Sequence, residues 1–158
     1  MTRLLGIVGL AGILVSSSAV AESAKEAMQT FGMVGTWSLN CATSPFRVVY
    51  AFPVSGPPTL TSVFNGQETA ISEVQEAVRA TEEKIKVTYF IKSTPQGTPV
   101  WGPLTGEIWE AVYEKIGNKF RPLSVKEKVG AKATARDGFY YVNQKTGGPT
   151  LPFEKCLN

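Results

Sequence analysis

The sequence predicts an all-β fold, an antiparallel up-and-down barrel of about eight strands with a short helix at its N-terminal end. Three observations predict it. Short stretches of alternating apolar and polar residues run from residue 36 to residue 143, which is the pattern of half-buried strands. Pro- and Gly-rich breaks separate them, including the tight-turn dipeptides Asn65-Gly66 and Asp137-Gly138. Two distant cysteines, Cys41 and Cys156, are placed to tie the two ends of the domain together.

The first 21 residues read as a cleavable export signal and not as structure. One positive charge, Arg3, precedes an apolar run over residues 4–15, and Ala19-Val20-Ala21 offers the small residues that a signal peptidase accepts. The expected cleavage point lies after Ala21. An apolar helix of 12 residues rises only about 18 Å, against the roughly 30 Å of a bilayer core, so no stable membrane anchor is expected. The expected organisation is therefore a signal over 1–21, a short helix within 22–33 and one barrel domain over 34–158. The expected location is the periplasm or the exterior.

The helix is expected over residues 24–31. Ser23 and Glu26 have capping-box spacing, Ala24, Ala27, Met28 and Phe31 share one face, and Gly32 is suited to end the helix. The first strand follows over 36–41. The second, 46–52, carries Phe46, Val48, Tyr50 and Phe52 on one face, and the third spans 60–64. Residues 69–80 fit two patterns. Ile71, Val74 and Val78 lie at helical spacing, whereas a strand would run directly into the next one as a meander; the strand is preferred. Residues 84–92 alternate most clearly, with Ile85, Val87, Tyr89 and Ile91 inward and Lys86, Thr88 and Lys92 outward. A loop with three prolines and two glycines fills 94–103, and long strands over 105–116 and 119–129 flank the turn Gly117-Asn118. The last expected strand is 139–143, with Thr146-Gly147-Gly148-Pro149 as a turn before the tail.

In an oxidising compartment, Cys41 and Cys156 are expected to form a structural disulfide; they lack the C-x-x-C spacing of redox-active pairs. The chain contains no histidine, which excludes Ser-His-Asp and Cys-His catalysis, a His-ligated haem and the usual His-containing zinc sites. Two thiols cannot form an all-cysteine zinc site, and no metal or other cofactor is expected. Residues 22–114 hold six basic and ten acidic side chains, and residues 115–158 hold nine and three. That asymmetry either marks a basic face for an anionic partner or mixes away if strands of the two halves interleave. The overall charge is too small to imply a nucleic-acid partner.

Gly35-Thr36-Trp37, which follows a short helix and opens the first strand, resembles the G-x-W signature of lipocalin- and avidin-type barrels (the calycin type). The resemblance implies that Trp37 plugs one end of the barrel and that a late basic residue packs over it, with Arg121 and Arg136 as candidates. The stretch from Val34 to Cys41, with Pro152-Phe153-Glu154-Lys155-Cys156, also resembles small exported proteins of bacteria, which implies no activity.

Among other candidate groups, Glu107, Glu110 and Glu114 form the densest carboxylate cluster. On one strand Glu110 and Glu114 would stand about 13 Å apart, beyond the spacing of an acid–base pair in glycoside hydrolysis, and they read as solvated charges. The aromatic residues give the better lead: Trp37, Trp101 in the Pro/Gly loop, Trp109 and Tyr113, with Arg121, are the candidate ligand-binding residues. Two functions remain open. One is an exported, non-enzymatic binding protein for a small apolar ligand or a cell-envelope component. The other is a protein-interaction or inhibitor module with a packed interior, acting through its loops and basic C-terminal half.

Overall fold

The computed structural model describes residues 22–95, 103–142 and 145–157. The expected signal over 1–21 and Trp101 lie outside the described residues. Helix α1 covers Ala24–Phe31 and starts as a capping box, with Ser23 Oγ accepting from the Glu26 amide and Glu26 accepting from the Ser23 amide. Gly32, at φ 90°, ends it in the left-handed conformation by donating to the carbonyls of Met28 and Gln29. Ala27, Met28 and Phe31 form its buried face, which packs mainly against the fourth strand.

Eleven strands follow: β1 Gly35–Ser38, β2 Phe46–Ala51, β3 Thr59–Phe64, β4 Gln67–Arg79, β5 Lys84–Ser93 and β6 Ile108–Ile116. The remainder are β7 Lys119–Glu127, β8 Ala133–Arg136, β9 Phe139–Val142, β10 Lys145–Pro149 and β11 Glu154–Cys156. They make one curled antiparallel sheet in the order β10-β9-β8-β7-β6-β5-β4-β3-β2-β1-β11. The described residues thus form eleven strands where about eight were expected. The extra strands β8, β10 and β11 are short, and β10 carries two glycines and a proline. An edge strand pairs on one side only and so tolerates both.

Residues 69–80, which fitted either helix or strand, lie almost wholly in β4. Their pairing with β3 on one side and β5 on the other supplies more than a lone amphipathic turn could. Tight turns fall where the sequence places them. Asn65 and Gly66, with φ 50° and 76°, join β3 to β4, and Asp137 and Gly138, with φ 50° and 78°, join β8 to β9.

Register shifts interrupt the β3/β4, β4/β5, β6/β7 and β7/β8 ladders. Each such irregularity bends its strand, and together they curl the sheet around a concave face. The tail then stitches one side to the other. Phe153 and Phe120 exchange two backbone hydrogen bonds (2.8 and 3.3 Å), while β11 continues along β1. Thr150 Oγ1 donates to the carbonyl of Pro122 (2.7 Å) and, at 3.1 Å, lies on that of Gly138. Cys41 and Cys156 are joined as a disulfide between residues 115 apart in sequence. No helix among the described residues is long and apolar enough to cross a membrane.

The sheet order settles how charge is distributed. Apart from β11, strands follow one another in sequence order, so the basic residues of β7, β8 and β10 lie in one part of the sheet and do not interleave with the acidic first half. Arg121 pairs with Glu114 (2.8 Å) and Lys132 with Glu107 where the two halves meet, while Arg79, Lys84, Lys86 and Lys92 pair with carboxylates inside the first half.

Thr88 departs from the expected pattern. It lies on the outward face of β5, between Glu76 and Glu110 on the neighbouring strands, yet it is buried and its hydroxyl has no hydrogen-bond partner among the described residues. A buried, unmade hydrogen bond costs about 1–3 kcal/mol, and valine has the same shape without the polar atom. Thr88→Val is therefore expected to raise stability by up to about 1 kcal/mol, seen as a thermal midpoint higher by a few degrees. A lower midpoint would contradict the assignment.

Candidate ligand-binding site

The alternation of β2 and β5 decides what faces the concave side. Phe46, Val48 and Tyr50 project there from β2, and Tyr89 and Ile91 from β5. Leu60 and Ser62 of β3, Ala70 and Ser72 of β4, and Trp109 and Tyr113 of β6 continue the wall. Phe120 and Val125 of β7, Ala135 of β8, Tyr140 of β9 and Phe153 of the tail carry it further round. These side chains do not fill the interior. They surround a cavity of about 530 Å³, within the range of small-molecule sites. Its lining among the described residues is mainly apolar and carries no formal charge.

One end of the core is closed by aromatic packing. Trp37, on β1, is buried; its Nε1 donates to the Met33 carbonyl (2.9 Å) and its ring lies 4.4 Å from that of Phe120. Phe120 also meets Tyr113 (5.3 Å), Tyr50 (6.1 Å) and Phe153 (6.1 Å), so it links the Trp37 plug to the cavity floor. The cation beside Trp37 is Lys155, with Nζ 5.9 Å from the ring centroid. It gets there by register, because Lys155 pairs directly with Trp37 across β11 and β1.

This corrects the expectation for Arg121 and Arg136. Arg121 Nε donates to Glu114 (2.9 Å), and Arg136 stacks on Tyr141 (4.2 Å). Neither lies over Trp37, and Arg121 is absent from the cavity wall. The glycine of the motif has a definite task. Gly35 stands at φ 110°, and a Cβ there would come within 3.1 Å of Lys155 Cε.

The floor of the cavity is polar. The hydroxyls of Tyr50, Tyr89 and Tyr113 converge: Tyr50 donates to Tyr113 (3.1 Å), Tyr89 donates to Tyr113 (2.9 Å), and Tyr50 and Tyr89 stand 3.4 Å apart. Burial raises all three above the ordinary tyrosine range, Tyr50 and Tyr89 strongly so, with the neighbouring Tyr113 charge adding to the rise. Tyr113 is raised less, because the hydrogen bonds it accepts from the other two favour its charged form. All three hydroxyls therefore stay protonated at neutral pH.

Trp109 is held from outside the cavity. Its Nε1 donates to Glu107 Oε2 (2.9 Å), which also accepts from the Leu104 amide (2.8 Å), while Lys132 holds the other carboxylate oxygen. Burial pushes the Glu107 carboxyl up, but the hydrogen bonds from Lys132, Leu104 and Trp109 together pull it below the usual glutamate value. A carboxyl lowered in the fold stabilises above its unfolded pKa and stops doing so as pH falls through the folded one, so this clasp weakens only in acid. Glu110 and Glu114 face outward, Glu110 towards Lys86 (3.9 Å) and Glu114 towards Lys84 (3.9 Å) and Arg121.

Of the candidates read from the sequence, Trp109 and Tyr113 line the cavity and Trp37 closes the core beneath it. Tyr50, Tyr89, Phe120 and Phe153 were not among them. Tyr50 and Tyr89 do stand at inward positions of their strands, which was the one available signal. No group of three or more Cys, Asp or Glu among the described residues is arranged to hold a metal.

Fold and cavity together define a class by geometry: a curled antiparallel sheet around an apolar hollow with a hydroxyl floor, stapled by one disulfide. No protein-family model, curated protein or solved structure matches the chain.

Proposed function

We propose that this chain is an exported binding protein that takes a small, largely apolar ligand into the hollow of its sheet. The cavity of about 530 Å³ carries the reading, since a packed interior would have had no room for a ligand. Export is supported by the disulfide, which is consistent with an oxidising compartment, and by the charged, apolar and small-residue segments of residues 1–21. The ligand would then be met in the periplasm or outside the cell. The G-x-W opening, with Trp37 under a basic side chain, is in keeping with a calycin-type barrel of eight strands, β1 to β7 and β11, extended by β8 to β10. Binding suits the site better than catalysis, because its tyrosines stay protonated at neutral pH and, among the described residues, no charged group lines the cavity beside them to move a proton.

The test is to fill the hollow. Ala70 is a buried residue of the cavity wall, and Ala70→Trp places an indole in the ligand's space. Mature protein starting at Glu22 is expected to bind the uncharged dye N-phenyl-1-naphthylamine, and Ala70→Trp to weaken that binding at least tenfold while the circular dichroism of the fold persists. Unchanged dye binding in a folded Ala70→Trp variant would place the ligand elsewhere and sink the proposal.

A second reading, an interaction module, is favoured by the basic side chains that β7, β8 and β10 bring to one part of the sheet. It requires binding to an anionic partner that weakens steeply with salt, whereas the apolar cavity binds with little salt dependence.

A further inference from the structure

The three hydroxyls at the cavity floor say what the ligand's polar end must be. Each tyrosine carries one proton. Tyr50 and Tyr89 both direct theirs to Tyr113 Oη, at 3.1 and 2.9 Å. The remaining edge of the triangle, Tyr50 to Tyr89, is 3.4 Å, beyond the usual range of an O–H···O bond, so the ring of hydrogen bonds is not closed. Two protons are spent on Tyr113, and the proton of Tyr113 itself has no acceptor within the triad. Tyr113 is also the most accessible of the three (8% exposed, against 2% and 3%), and it lines the cavity. A buried donor left without a partner is costly, and the acceptor that satisfies it is selected with corresponding force.

Charge narrows the choice. The cavity wall holds no lysine or arginine among the described residues, and its other side chains are mainly apolar, with a few neutral hydroxyls such as those of Ser62 and Ser72. An ionised carboxylate or phosphate would lose its hydration there with no cation to offset it. A neutral oxygen accepts a hydrogen bond from Tyr113 without that cost. Because Tyr113 already accepts two hydrogen bonds, its hydroxyl is polarised toward giving its own proton.

We infer that the cavity recognises an uncharged amphipathic molecule whose carbonyl, ester or ether oxygen accepts the Tyr113 hydroxyl proton while its hydrocarbon part fills the apolar wall. This rests on the cavity reading of the preceding section and specifies the ligand class for that site.

The experiment compares three probes of one chain length, decane, 2-decanone and decanoate, by displacement of N-phenyl-1-naphthylamine from the mature protein. 2-Decanone is expected to displace the dye with about tenfold higher affinity than decane, the size of one well-placed hydrogen bond, and decanoate at neutral pH to be the weakest. In Tyr113→Phe the advantage of the ketone over decane, both measured on that same variant, is expected to vanish. A second measurement needs no variant: the carbonyl stretch of ¹³C-labelled 2-decanone is expected to shift to lower frequency on binding to the wild-type protein. Equal affinities for decane and 2-decanone, with an unshifted carbonyl, would overturn the inference while leaving the cavity reading intact. A ketone advantage that survives in Tyr113→Phe would overturn it too. Failure of the dye and all three probes to bind the wild-type protein would overturn the cavity reading itself.

Discussion

Replacing Trp37 by alanine is expected to cost about 3–5 kcal/mol, a large part of the roughly 5–15 kcal/mol that holds a domain of this size together. Three losses add up at this position. The indole is buried, with 4% of its surface exposed, and its removal opens a void beside Phe120. The Met33 carbonyl, which now accepts from Nε1, loses its donor. Helix α1 also loses its support, since Phe31 and Met28 belong to the same buried cluster as Trp37. Trp37→Phe separates these terms: it keeps an aromatic ring against Phe120 and removes only the N–H and part of the volume. The phenylalanine variant is expected to lose about 1–2 kcal/mol, from the unpaired carbonyl and the smaller ring. Urea unfolding checks both, with a midpoint that falls while the slope stays unchanged. A loss below about 1 kcal/mol in Trp37→Ala would show that the plug is not a core element.

The double variant Cys41→Ala/Cys156→Ala is expected to lose about 2–4 kcal/mol and to melt on the order of 10 °C lower. The disulfide spans 115 residues of sequence, so it removes a large share of the unfolded chain's freedom. It also guards a weak place. β11 has only three residues, and just ahead of it the tail is held to β7 by the Phe120–Phe153 bridge and the Thr150 hydroxyl. Without the staple this stitch frays first, and amide exchange in residues 153–156 is expected to rise before that of β5. An unchanged melting temperature would mean that the tail is held by its hydrogen bonds alone.

The candidate site was legible only in part, and the strands show why. The period-2 alternation of β2 and β5 correctly put Tyr50 and Tyr89 on the inward face, because side-chain direction along a strand is a local property. That the two would meet each other and Tyr113 was not legible. In the sheet Tyr89 pairs with Trp109 and Tyr113 with Ile85, which sets the two tyrosines four residues apart along their strands, about 13 Å at the rise of a strand. Their hydroxyls come together because bulges curl the sheet and swing Tyr50 of β2 across the hollow. The same holds for Trp37. The motif implied a cation over the ring, but the choice of Lys155 over Arg121 and Arg136 depends on how β11 registers against β1.

The strand count failed for a related reason. β8, β10 and β11 are strands because a neighbour offers them a ladder, not because their side chains alternate. Sequence by itself determined the features encoded within a few residues: the capped helix over Ala24–Phe31, the turns at Asn65-Gly66 and Asp137-Gly138, the inward faces of β2 and β5, and the all-β class. It also proposed the Cys41–Cys156 pair, by count and compartment. Only the tertiary structure decided the strand number, the cation at Trp37, the hollow interior and the tyrosine floor. Those depend on sheet curvature and on register between strands far apart in sequence, and a single register step would carry every side chain to the opposite face.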